Sequence, residues 1–183
     1  MPEIEKWVLN EVYKLSKKII QFTQNYQLGD IYREVYDFCN DDLSSFYFDI
    51  RKDTLYCSSY DSVERRSCRT VLDILFNCIC TWLAPILCFT TEEAWKTQNV
   101  DENESVHLKE YFKPNDVWNN DTLSKKWGII RNLRLKVTNK IEEKRREGLI
   151  GSSLEAKINL EVSTNFFETL SDLNLSEIFI CSK

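Results

Sequence analysis

Ile4, Val8, Val12, Leu15, Ile19, Phe22 and Tyr26 follow one another at steps of three and four residues. That repeat gathers apolar side chains on one face of an α-helix and cannot line one side of a strand. A stripe this long spans about six turns at 3.6 residues per turn. It must be covered by another apolar surface, so the chain is committed to packing helix on helix.

The same steps return three times: Tyr32, Tyr36, Cys39, Leu43, Phe46 and Ile50; then Val71, Leu72, Leu75, Phe76, Ile79 and Leu83; then Leu123, Trp127, Ile130, Leu133, Val137 and Ile141. Punctuation falls between them. Gly29 is the expected stop of the first helix, with Asp30 capping the second. Asp61-Ser62-Val63-Glu64 reads as the start of the third, and Pro85 as its end. Thr90-Thr91-Glu92-Glu93 reads as a capping box for a short helix that Asn99 to Asn103 terminates. Asp121 or Thr122 opens the last long helix and Gly148 closes it.

Beyond Gly148 the period changes to two. Leu154, Ala156, Ile158, Leu160 and Val162 alternate with Glu155, Lys157, Asn159 and Glu161, the pattern of a half-buried strand. A short helix over Asn165 to Leu170 and a second strand at Ile178-Phe179-Ile180 are expected to follow. The reading is mainly α: an antiparallel helical bundle over 1–147, then a small, incomplete α/β junction subdomain over 148–183 in the order strand, helix, strand. Two such strands cannot bury both faces, so the chain is expected to break off within that subdomain.

Composition narrows the function. With 43% apolar and 29% charged residues in 183, the chain can bury one sizeable core. No apolar run approaches a membrane span and no leader pattern opens the sequence, so a soluble, cytoplasmic and monomeric protein is expected. Seven cysteines, an odd number, lie mostly in apolar helical patterns, and no C-x-x-C pair occurs; reduced thiols and no metal site are expected. His107 is the only histidine. Gly-rich phosphate loops, H-E-x-x-H and G-x-S-x-G are all absent, so neither catalysis nor a cofactor is expected here.

Charge gives a positive indication. The formal net charge is −5, yet residues 121–147 hold nine Lys and Arg against four acids, so the remainder carries −10. Arg131, Arg134 and Arg145 flank one side of the last long helix's apolar stripe, and Lys125, Lys136 and Lys140 the other. Arg51-Lys52 reads as a basic connector, and Arg65, Arg66 and Arg69 as a second basic run. Cations at fixed spacing on a helix can follow a nucleic-acid backbone. Charge alone favours the simpler reading of a solvated surface with ion pairs such as Glu142 to Arg146. Trp95 and Trp118 could stack on a base, but Trp in an amphipathic bundle is first read as core.

Several blocks weigh more than charge. Trp82-Leu83-Ala84-Pro85-Ile86-Leu87-Cys88-Phe89-Thr90-Thr91-Glu92-Glu93-Ala94-Trp95 is similar to the Leu-Ala-Pro-Ile plus Thr-x-Glu-Glu-x-Trp signature of the anticodon-binding bundle in class Ia aminoacyl-tRNA synthetases. Leu43 to Tyr56, with its Phe46-Tyr47-Phe48-Asp49 core, Ser105-Val106-His107-Leu108, and Ile150-Gly151-Ser152-Ser153-Leu154-Glu155-Ala156 resemble the isoleucyl branch of bacterial type. The His-Ile-Gly-His and Lys-Met-Ser-Lys-Ser motifs are missing.

The resemblance implies a bundle that grips an anticodon stem-loop and packs beside a catalytic domain of the same polypeptide. That domain would use ATP to join isoleucine to its tRNA, and the parent would edit mischarged valine. Phosphate contacts would come from Arg51, Lys52, Arg65, Arg66, Arg69, Arg131, Arg134, Lys140, Arg145 and Arg146. The competing class is a helical protein-interaction module that presents the acidic first three helices and binds no RNA.

Overall fold

A computed structural model describes residues 1–98 and 104–182. The helix terminator expected at Asn99 to Asn103 lies outside them. Two compact units, Met1–Asn120 and Asp121–Lys183, divide the chain ahead of the last long helix, whereas the compositional change had placed the boundary at Gly148.

The first unit opens with α1 (Glu3–Gln24). Glu3 and Glu5 occupy its first turn, where carboxylates suit the positive end of the helix dipole. Ile4, Trp7, Val8, Val12, Leu15 and Ile19 are buried, so the opening stripe forms the core as far as Ile19, whereas Phe22 is half-buried and Tyr26 exposed. Two hydrogen bonds end the helix, Gln27 N–H to Phe22 O at 2.9 Å and Tyr26 N–H to Thr23 O at 3.1 Å. This is the paired closure that needs a left-handed residue. Tyr26 supplies it at φ 57, and Gly29, the expected stop, lies inside the next helix.

α2 (Leu28–Asp37) runs without a break into a π-helical stretch, Phe38–Phe48, and then α3 (Asp49–Cys57). The stretch corrects the expected register. Ile31, Val35, Phe38, Leu43, Phe46, Tyr47 and Ile50 face the core, while Tyr32 and Tyr36 are exposed and stack on each other at 6.0 Å. Hydrogen bonds from i to i+5 widen the helical turn, so the residue buried after Phe38 comes five positions on. Arg51-Lys52 is therefore helical and not a connector.

α4 (Val63–Leu83) starts on Ser62, whose hydroxyl accepts the Arg65 N–H, and stops before Pro85. α1 packs against both α2 and α4, and Trp7 meets Phe46 edge-on at 5.2 Å. Beneath them lies an ion pair. Arg51, 3% exposed, donates Nε and Nη2 to Glu5, 0% exposed, at 2.6 and 2.8 Å. Tyr47 Oη lies 3.3 Å from both Glu5 Oε1 and Cys68 Sγ. Burial, and then the Glu5 charge, push the Tyr47 phenol well above its ordinary range. Burial likewise raises the Cys68 thiol.

α5 (Cys88–Gln98) follows. Cys80, Ala84, Trp95 and Val106 form a second apolar cluster, with Phe76 stacked on Trp95 at 6.2 Å. The capping box expected at Thr90 to Glu93 does not form, because the helix has already begun at Cys88. Thr91 Oγ1 donates to Leu87 O at 2.9 Å. Glu92 instead accepts the Ser105 hydroxyl and the Val106 N–H, both at 2.9 Å.

In the second unit, α6 (Asp121–Arg146) buries Trp127, Ile130, Val137 and Ile141. It ends as expected: Gly148 is left-handed at φ 73, and Leu149 N–H reaches Lys144 O at 3.1 Å. The expected strands are not formed. Residues 156–163 carry no regular secondary structure and no strand lies among the described residues; an alternating segment becomes a strand only through a ladder. Ile178 and Phe179 belong instead to α8 (Leu175–Phe179), which follows α7 (Thr164–Leu170).

Arg51→Met strands the Glu5 carboxylate in the core and is expected to destabilise the first unit by about 3–5 kcal/mol. The double variant Glu5→Gln/Arg51→Met should recover much of that loss in urea unfolding. Tyr26→Gly relieves a left-handed non-glycine residue whose side chain is 90% exposed, and should stabilise the same transition by about 1 kcal/mol.

Candidate nucleic-acid interface

The ten cations singled out from the sequence do not share one role. Arg51 is withdrawn into the core and neutralised by Glu5, so it has neither the exposure nor the free charge to meet a phosphate. Arg134 is buried too, and its Nε donates to Ile178 O at 2.8 Å, fixing α8 against α6. Periodicity marked both positions as basic without revealing a buried acceptor far along the chain.

Arg65, Arg66 and Arg69 lie on the first turns of α4. Arg66 and Arg69 are exposed and Arg65 half-buried, with Arg65 Nη1 held on Ser58 O at 3.0 Å. The guanidiniums of Arg65 and Arg69 each sit 5.9 Å from the Tyr60 ring centroid. Tyr60 escaped the sequence reading because a lone aromatic before an N-cap has no periodicity. Lys52, on α3, is exposed and 3.4 Å from Asp49.

On α6, Arg131 is half-buried, and the remaining candidates are solvent-facing and ion-paired. Lys140 lies 2.7 Å from Glu143. Arg145 grips Glu142 through Nε and Nη2 at 2.8 and 3.0 Å, and Arg146 reaches the same carboxylate at 3.5 Å. Hydrogen bonding from Arg145 outweighs desolvation and holds the Glu142 carboxyl below its usual range. Exposed pairs of this kind contribute little to stability because water screens them. An open apolar groove of about 520 Å³ runs beside these turns, lined by Val137, Ile141, Ile158 and Leu160 together with Lys136, Lys140 and Lys144. Lys136 and Lys144 thus join the surface, though neither was in the expected set.

Other chemistries find little support. Trp95 is core, and Trp118 is half-buried and stacked on Phe112 at 5.8 Å. All seven cysteines are free thiols. Among the described residues no three His, Cys, Asp or Glu side chains gather around a common point, and no helix is long and apolar enough to cross a membrane.

A helical unit bearing exposed arginines, joined in sequence to a long basic helix, is what an RNA-docking module requires. Residues 5–160 match the anticodon-binding domain of tRNA ligases, and the chain belongs to that family. Its relatives narrow the branch. Isoleucine–tRNA ligases from Gluconobacter oxydans, Zymomonas mobilis and Agrobacterium fabrum are 41%, 43% and 44% identical to it over its full length. The chain spans about a fifth of the length of these curated relatives.

The signature block that carried the resemblance is thus architectural. Its Glu92 joins α5 to the turn at Val106–Leu108, and its Trp95 fills the cluster beneath. Burial works to raise the Glu92 pKa, but hydrogen bonds from Ser105, Val106 and Lys96 prevail and lower it from the ordinary 4.5. A lowered folded-state pKa stabilises above the unfolded value and is lost as pH falls through the folded one. The thermal unfolding temperature should therefore fall as pH drops below about 4.5, and Glu92→Gln should flatten that dependence.

Proposed function

We propose that this chain docks the anticodon stem-loop of an isoleucine tRNA. In this reading it does so as part of a longer cytoplasmic polypeptide whose separate catalytic domain joins isoleucine to that tRNA with ATP and whose editing activity removes mischarged valine. The observation that carries the reading is the family match over 5–160, joined to exposed cations on α4 and α6 that remain after Arg51 and Arg134 are set aside. The chain itself would act as a monomer and take no part in the chemistry.

Physically, the bundle supplies rigidity and the cations supply attachment. Helix-borne Arg and Lys neutralise backbone phosphates at fixed spacing, which sets register without reading sequence. Bases of the loop are accessible for separate recognition because they are unpaired. Arg66 is the strongest single candidate for a phosphate contact: it is exposed on the first turn of α4.

Titration of the chain into labelled isoleucine tRNA across a salt series tests the proposal. Affinity should fall steeply as salt rises. Arg66→Ala should weaken binding and reduce the log–log slope by about one, while Glu92→Gln leaves the slope unchanged. No binding at high micromolar protein and low salt would overturn the reading in favour of a protein-interaction module.

A further inference from the structure

We infer that the first turns of α4 form a nucleotide-binding pocket in which an unpaired base stacks on Tyr60 while its phosphate meets Arg66 or Arg69. This inference rests on the RNA-docking reading and adds a site to it.

The pocket, about 390 Å³, is lined by Tyr60, Asp61, Arg66, Arg69, Thr70 and Asp73. Tyr60 is 69% exposed, so its ring contributes little to the core. It is nonetheless positioned, with the Arg65 and Arg69 guanidiniums both 5.9 Å from its centroid. Arg65 is tethered by Ser58 O, and its Nε, shielded from solvent, finds no hydrogen-bond partner among the described residues. The guanidiniums lie over the ring within cation–π reach, so an arriving base would add to an Arg–Tyr stack that is already assembled.

Charge argues against a plain phosphate patch. Across residues 60–73 three arginines are balanced by Asp61, Glu64 and Asp73, so net charge alone does not select the ligand. A nucleotide answers the whole lining: its phosphate suits the arginines, its π-face suits Tyr60, and the N–H donors on its base edge suit the two aspartates. The volume admits one base and excludes a duplex, which points to an unpaired nucleotide.

The test uses the chain with a single-stranded RNA trinucleotide carrying 2-aminopurine at its centre, and the same oligonucleotide with an abasic centre. Wild type and Tyr60→Phe should bind and quench the fluorophore. Tyr60→Ala and the abasic oligonucleotide should each lose roughly tenfold in affinity. Undiminished binding in Tyr60→Ala, or equal binding of the abasic oligonucleotide, would overturn the pocket, as would failure of wild type to bind the trinucleotide at millimolar concentration. If Tyr60-dependent capture persists in a chain that does not bind isoleucine tRNA, the pocket stands and the anticodon reading falls. If tRNA binds without any dependence on Tyr60, the reverse holds.

Discussion

The ion pair between Glu5 and Arg51 is the interaction on which the first unit turns. It joins the opening turn of α1 to α3 across 46 residues of sequence, with both partners almost wholly withdrawn from water. Such a pair adds little net stability over apolar residues of the same volume, but it strongly penalises any arrangement that separates its members. Tyr47 Oη reaches the same carboxylate and also lies 3.3 Å from Cys68 Sγ, so α1, the π-helical stretch, α3 and α4 are all tied to Glu5 directly or through Tyr47. The bundle is held by an exclusion as much as by an attraction.

A second fastening of similar logic holds the far end of that unit. Glu92 reaches across from α5 to a main-chain N–H and a hydroxyl at the start of the Val106–Leu108 turn, and His107 Nε2 lies 3.1 Å from Cys88 O. These contacts are local compared with the Glu5 pair, but they hold residues 105–107 against α5. Both fastenings use carboxylates that the sequence presents as ordinary members of amphipathic helices.

The helices were readable because apolar spacing reports burial directly: the stripes beginning at Ile4, Val71 and Leu123 form the expected cores, and Gly148 closes α6 as its lack of a side chain allows. The misreadings have physical causes. The phase of Leu43, Phe46 and Ile50 leads back to Tyr36 and Tyr32 only at ordinary helical steps; the π-helical turns from Phe38 are wider, so upstream of them Ile31 and Val35 hold the buried face. Tyr26 took the left-handed position that a glycine three residues later was expected to hold. The alternation at Leu154 to Val162 records the demand of a strand, but pairing needs a partner that local sequence cannot supply. At the surface, exposed cations such as Arg66 were identifiable by type alone, whereas Arg51 and Arg134 were misplaced because their acceptors, Glu5 and the Ile178 carbonyl, are distant in sequence.

The paired end of α6 has a thermodynamic consequence. A bare cation binding RNA sets free a small ion that was condensed on the phosphate, and the mixing entropy of that ion drives association. Glu142, Glu143 and Glu147 are already seated on Arg145, Lys140 and Lys144, and they cannot diffuse away when a phosphate arrives. They behave as counterions tethered to the protein, which remain beside the complex and repel the newcomer. If RNA docks as proposed, that face would sample and release it rapidly and would leave the decision about which RNA stays to contacts made elsewhere.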